Sequence, residues 1–217
     1  MAQARPPAHR RPAPGARLPP VSTWTTPLVL ASGSARRRQI LETVGIPIEV
    51  DPSRADESFS PGLPAEEAVV MLALRKATEV AARHPGRAIL AADTLVRVDG
   101  QLLGKPNDSA DARRMLGLLS GTWHDVLTGV VLVADGVVRE RMAHTRVLFV
   151  DSTPAEIDRY VAGPEPYDKA GAYGIQAVAG WFIAEIRGSP SNVMGLPLAE
   201  VRELLAEAGL PLPALGS

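Results

Sequence analysis

Two Asp-Gly dipeptides, Asp99-Gly100 and Asp135-Gly136, each set between apolar runs, constrain the fold more than anything else in the chain. A two-residue hairpin of type I′ needs positive φ at both central positions, which Asp and Gly tolerate, so each pair predicts antiparallel strands joined by a tight turn. The first joins residues 95–98 to 101–103 and the second joins 126–134 to 137–150. The start of the chain reads differently. An apolar strand from Leu28 runs into a helix with Ile40, Leu41 and Val44 at helical spacing, which stops at Gly45 before a short strand at 46–50. Strand–helix–strand is the unit of parallel pairing, whereas a hairpin is antiparallel by construction. A chain carrying both demands a mixed sheet, and an α/β fold with an elongated, twisted mixed sheet flanked by helices is expected.

The remaining elements follow in order. Pro64 opens a helix to about residue 83, and residues 88–92 form a continuous apolar run of the kind buried on both faces. Asp93-Thr94 comes directly after that run, which places a carboxylate at the C-terminal end of a central strand. Helices are expected at 108–119, at 154–162 behind the Thr153–Glu156 capping box, and at 198–208 before Gly209; residues 163–174 read as a turn-rich loop and 175–186 as strand. Residues 1–26 are rich in Pro, Ala and Arg and contain no acid, so they read as a disordered arm ahead of one domain at 27–217.

A net charge of -1 argues against a protein that coats nucleic acid or an anionic membrane, and no apolar run approaches a membrane span. With no cysteine in the chain, disulfides, thiolate nucleophiles and Cys-based zinc sites are excluded, which fits a reducing cytoplasm. Any affinity for phosphate must therefore be local. The best place for it is Ser32-Gly33-Ser34-Ala35-Arg36-Arg37-Arg38, where loop and first-turn N–H groups, two hydroxyls and guanidinium groups meet at a strand-to-helix junction. Three successive arginines are also what a solvated helix face looks like. Polar residues at strand ends and in loops form a short set: Ser32, Ser34, Arg36, Arg37, Asp56, Glu57, Asp93, Thr94, Lys105, Lys169 and Gln176, joined by Lys76 from a helix. Cations outnumber acids in it, the mixture that a metal-dependent nucleotide hydrolase needs to neutralise a polyphosphate and hold Mg2+ or Mn2+ against it. His124, between Trp123 and a strand, reads as a hydrogen-bonded structural residue. There is no G-x-S-x-G elbow and no P-loop signature.

Taken together, the blocks Leu30-Ala31-Ser32-Gly33-Ser34-Ala35-Arg36-Arg37, Asp56-Glu57, Ala92-Asp93-Thr94, Gly104-Lys105-Pro106, the stretch from Leu119 to Val126, the stretch from Asp168 to Gln176 and Val193-Met194-Gly195-Leu196-Pro197 resemble the Maf family of nucleoside triphosphate pyrophosphatases. The resemblance implies an α/β fold similar to the inosine triphosphatase group, with two lobes around a cleft. It also implies metal-dependent hydrolysis of a nucleoside triphosphate between the α and β phosphates. Asp93 corresponds to the family's general base, and Arg36, Thr94 and Gln176 to positions linked with substrate choice. The Asp-Thr and Gly-Ile-Gln pattern is that of the branch resembling dTTP and UTP pyrophosphatases, rather than the branch acting on 7-methyl-GTP. Ser32, Arg37, Lys76, Lys105 and Lys169 match phosphate-binding positions, and Glu57 and Asp93 match positions for the divalent metal. The expected partner is the nucleotide itself, with a homodimer left open, no membrane involved, and nucleic acid disfavoured and carried only as a third option through the basic arm. The family's association with cell-division arrest keeps a second reading, a septum-associated nucleotide sensor with little hydrolysis. Ala35 and Ala177 depart from the family's usual Pro and Gly, and Ala177 bears on the breadth of the base pocket.

Overall fold

The computed structural model describes residues 24–60, 62–176 and 178–213. Most of the expected arm, and Ala177, lie outside the described residues; Trp24 is described and packs its ring against the core. In chain order the elements are β1 (Leu28–Leu30), α1 (Ala35–Thr43), β2 (Ile48–Val50), α2 (Ala65–Ala81), β3 (Ile89–Val98), β4 (Gln101–Leu103), α3 (Ser109–Leu119), β5 (Trp123–Ala134), β6 (Val137–Phe149), α4 (Pro154–Val161), β7 (Ile183–Arg187), α5 (Pro190–Val193) and α6 (Leu198–Glu207). The strands form one mixed sheet in the order β2-β1-β3-β5-β6-β7, with β4 also on β3. β1 pairs in parallel with β2 and β3, and the pairings from β3 onward to β4, β5, β6 and β7 are antiparallel. Both hairpin turns have the expected geometry: φ is 46° and 76° at Asp99-Gly100, and 52° and 71° at Asp135-Gly136.

β3 carries the feature that positions the site. One of its edges pairs with β5 without a break from Ile89 to Arg97. The other edge pairs with β1 only as far as Leu90, and with β4 only from Val96. Between those partners the edge is open, and Asp93 and Thr94 lie in the gap. The expectation that Asp93 follows the end of a strand is thus corrected: β3 runs straight through it, and the neighbouring strand ends instead.

Alternation along β3 sends adjacent side chains to opposite faces. Ile89, Ala91 and Leu95 face α2, which covers that side through Ala65, Ala68, Val69, Ala73, Ala77 and Val80. Such close cover needs a bare backbone at Gly129, where a Cβ would stand 2.3 Å from the Val69 carbonyl oxygen. On the opposite face, Leu90 and Ala92 belong to a core closed by α1 and α6, whereas Val96 and Val98 belong to one closed by α3 and α4. Thr94 sits at the seam between these two cores.

The strand expected at 175–186 forms only over its last part, as β7. Its partner β6 ends at Phe149, which pairs with Ile183, so residues before Ile183 have no strand to meet. Residues 178–182 turn instead through a 3-10 segment, with Ala179 and Phe182 buried in the α3/α4 core.

Candidate active site

The β1–α1 junction, the gap in β3, the loop after β4 and the turns before and after Tyr173 enclose a cleft of about 600 Å³. Ser32, Arg36, Arg37, Glu57, Lys76, Asp93, Thr94, Lys105 and Lys169 all line it. Gln176 does not; it is exposed, while its neighbour Ile175 lines the wall. Asp56 is also outside the lining and bonds its own loop at Ser58.

Asp93 and Lys76 are both 8% exposed, and their charges meet: Lys76 Nζ donates to Asp93 Oδ1 at 2.5 Å and stands 2.7 Å from Glu57 Oε1. Lys76 reaches this point because it lies on the α2 face turned toward the sheet, directly over the odd-numbered side chains of β3. Burial pushes Glu57 up, but the hydrogen bond and charge of Lys76, with the charges of Lys105 and Arg37, outweigh it and hold Glu57 below the usual glutamate range.

Arg37 is held from the other side of β3. Its Nε donates to the Gly195 carbonyl at 2.7 Å, Nη1 to Ser32 Oγ at 3.1 Å and Nη2 to Thr94 Oγ1 at 3.1 Å. Gly195 can offer that carbonyl because it takes a φ of 95°, in a turn that an L side chain would strain. Ser34 caps α1 by accepting from the Arg37 N–H. Burial pulls Arg37 below the ordinary arginine value, and the charge of Asp93 opposes that pull. All three acceptors are neutral, so the guanidinium charge is not cancelled. Among the described residues neither Arg37 nor Lys105 has a carboxylate within ion-pair distance, whereas Lys76 is neutralised by two and Arg36 by Asp168 at 2.8 Å. Lys169 closes the mouth, donating to Asp168 Oδ1 at 2.6 Å and to the Glu165 carbonyl at 2.5 Å.

The cleft therefore has a defined polarity. Two uncompensated cations and a helix N-terminus face a carboxylate pair clamped by one buried ammonium, an arrangement suited to gripping an anionic chain beside a proton acceptor. His124 takes no part: it is buried, its Nε2 bonds the Tyr173 hydroxyl at 2.7 Å, and burial lowers it to about 4. Thr128, beside Thr94 on β5, and Asn192 of α5, both fully buried, belong to the site's support and carried no motif; the signal was a lone hydroxyl in the apolar run of β5. Among the described residues no helix is long and apolar enough to cross a membrane.

Comparison with solved structures finds similarity to a Ham1 protein of Staphylococcus aureus, with a TM-score of 0.45 and 14% identity over 84% of this chain and 97% of that one. Among curated proteins, a dTTP/UTP pyrophosphatase of Anaeromyxobacter dehalogenans (strain 2CP-C) is 51% identical over 190 residues, covering 86% of this chain and 96% of that protein. One from Myxococcus xanthus (strain DK1622) is 48% identical over 188 residues, covering 87% and 95%. The family model described as Maf-like protein matches residues 27–208, which takes in every side chain of the cleft, and the chain belongs to the Maf family.

Proposed function

We propose that this chain is a nucleoside triphosphate pyrophosphatase that hydrolyses dTTP and UTP to the monophosphate and pyrophosphate. The observation that carries the reading is the division of labour among the cleft's charges. Arg37 and Lys105 keep their positive charge for a ligand, while Lys76 spends its own on Asp93 and Glu57. The names and identities of the relatives support the choice of substrate.

In this reading Arg37 presents the two N–H groups left after its three protein bonds, a planar fork for phosphate oxygens, and Lys105 adds a point charge. Ser32 and the first turn of α1 contribute further donors, and Arg36 and Thr94 bear on the choice of base. Asp93 accepts the proton of the attacking water through Oδ2, which bonds nothing among the described residues, while Lys76 holds Oδ1 and fixes the direction of approach. A bond forms from the water oxygen to phosphorus, the α–β bridging bond breaks, and its electron pair leaves with pyrophosphate.

The donors also fit a divalent cation. Glu57 and Asp93 converge on one ammonium and each keeps a second oxygen, while no group of three or more His, Asp or Glu side chains gathers among the described residues. That is the set for Mg2+ or Mn2+ held by one or two carboxylates and completed by phosphate oxygens and water, not for an all-protein cage. When bound, the cation offsets phosphate charge as the linkage breaks. A cytoplasmic location goes with this reading and is supported by a chain without cysteine, which suits a reducing compartment.

The test is a panel of nucleoside triphosphates, 7-methyl-GTP included, incubated with Mg2+ or Mn2+ and read for monophosphate and pyrophosphate. Release from dTTP and UTP ahead of the rest is the expected result. Binding without release would point to a sensor and overturn the reading, as would orthophosphate as the product.

A further inference from the structure

At the seam between the α1/α6 and α3/α4 cores runs a line of polar side chains of which the reading above uses only Thr94. Thr94 and Thr128 face each other in register across β3 and β5. Asn192 of α5 lies over them and reaches Thr145 on β6. Thr128 and Asn192 are 0% exposed, and neither lines the cleft.

A hydroxyl buried in an apolar strand is costly unless bonded, and Thr128 is bonded twice: to Thr94 Oγ1 at 3.0 Å and to the Asn192 carbonyl at 3.4 Å. A hydroxyl has one proton. With that proton given to Asn192, Thr128 must accept from Thr94, whose oxygen in turn accepts from Arg37 Nη2. The bonds then run one way, from Arg37 through Thr94 and Thr128 to Asn192. Asn192 itself is pinned, its Nδ2 donating to the Val126 carbonyl and to Thr145 Oγ1, both at 3.0 Å. Its carbonyl also accepts the Gly195 N–H at 2.8 Å, and the Gly195 carbonyl is the acceptor for Arg37 Nε. Two of the three acceptors that hold Arg37 thus trace back to one buried carbonyl.

We propose that Thr128 is a positioning residue for nucleotide binding: without touching substrate, it directs the Thr94 hydroxyl and so holds the Arg37 guanidinium in the orientation that receives phosphate. This rests on the reading of Arg37 as a phosphate ligand. Because Asp93 points to the opposite face of β3, toward α2, the effect falls on binding and not on proton removal.

The test compares Thr128→Val, which keeps the shape and removes the hydroxyl, with Thr128→Ser, which keeps the hydroxyl. For UTP the valine variant raises KM roughly tenfold with kcat held within about twofold. Thr128→Ser restores the wild-type KM, and Thr94→Val with Thr128→Val binds no worse than Thr94→Val alone. Thr128→Ala, which adds no methyl against Asn192, gives the same readings should the valine variant not fold. Kd for α,β-methylene-UTP, measured in parallel, rises by the same factor. Wild-type KM and Kd in the hydroxyl-less variants would overturn the proposal, as would a loss confined to kcat, an additive double variant, or a serine variant as weak as the valine one. Wild-type protein that releases no pyrophosphate overturns the hydrolysis reading instead, and the Kd series still decides the role of Thr128.

Discussion

Removing Lys76 leaves two carboxylates facing each other in a cleft wall, whereas removing Asp93 leaves one ion pair intact. The two substitutions therefore separate sharply in stability. The Lys76–Asp93 contact is buried on both sides, at 10% and 11% side-chain exposure, but Glu57 is 57% exposed. Stranding one partner of a buried pair costs about 3–5 kcal/mol, whereas an exposed arm is worth no more than about 1 kcal/mol. Lys76→Met is expected to lose about 4 kcal/mol, and Asp93→Asn, in which Glu57 still answers Lys76, about 1 kcal/mol. For a chain of this size that corresponds to roughly 8–16 °C and 2–4 °C in Tm. The Lys76→Met, Asp93→Asn double variant has no stranded carboxylate at position 93 and should recover about 2 kcal/mol relative to Lys76→Met. Urea unfolding at pH 7 with matched calorimetry measures all three. Asp93→Asn should also cut pyrophosphate release by about 10²–10⁴ while remaining folded. If Asp93→Asn proved as unstable as Lys76→Met, or the double variant no better than Lys76→Met, the picture of one ammonium neutralising two acids would be wrong.

His124 makes stability depend on pH. Burial holds it at about 4 in the folded protein against an ordinary 6.5, so the unfolded chain binds its proton first as pH falls. The contribution is complete above about pH 6.5 and shrinks toward pH 4, by about 3 kcal/mol in all. Urea midpoints at pH 7, 5 and 4 should fall more steeply in the wild type than in His124→Gln, where only carboxylates held below their usual range, such as Asp51 and Glu57, still contribute a slope. Gly129→Ala, whose Cβ meets the Val69 carbonyl, is expected to cost about 3 kcal/mol, whereas Gly117→Ala in α3, with open space around it, gains about 0.5–1 kcal/mol; thermal melts rank the two. EDTA should abolish pyrophosphate release, with Mg2+ or Mn2+ restoring it, and leave the Tm of the nucleotide-free protein unmoved, since Glu57 and Asp93 alone are too few ligands for a structural cage.

What could be read from the sequence was what local chemistry decides. Asp99-Gly100 and Asp135-Gly136 fix their turns through the two residues' own φ preferences, and Ser34, Thr153 and Pro154 mark their helix starts in the same way. Position relative to a partner strand was not legible. Asp93 looks like a strand terminus because the apolar run stops there, yet the backbone continues to Val98 with β5 alongside it. Ile175 and the residues after it have strand-like composition, but β6 ends at Phe149 and ladder pairing begins only at Ile183. Most of the cleft's charged side chains were legible because they stand at strand-to-helix junctions and in Gly/Pro-rich loops next to apolar runs, or, as with Lys76, interrupt an apolar helix face. Thr128 and Asn192 were not, since a buried acceptor chain depends on which strands and helices stack above one another.

The open stretch in one edge of β3 has a mechanical side. β3, β5 and β6 pass without interruption beneath both cores and stay hydrogen-bonded to each other throughout. To swing one half of the molecule against the other would mean bending three strands at once, so the floor of the cleft behaves as a fixed anvil. Fitting the nucleotide then falls to the rim, where the mostly exposed Asp168 carboxylate is shared between Arg36 and Lys169 in contacts that can part and re-form at little expense.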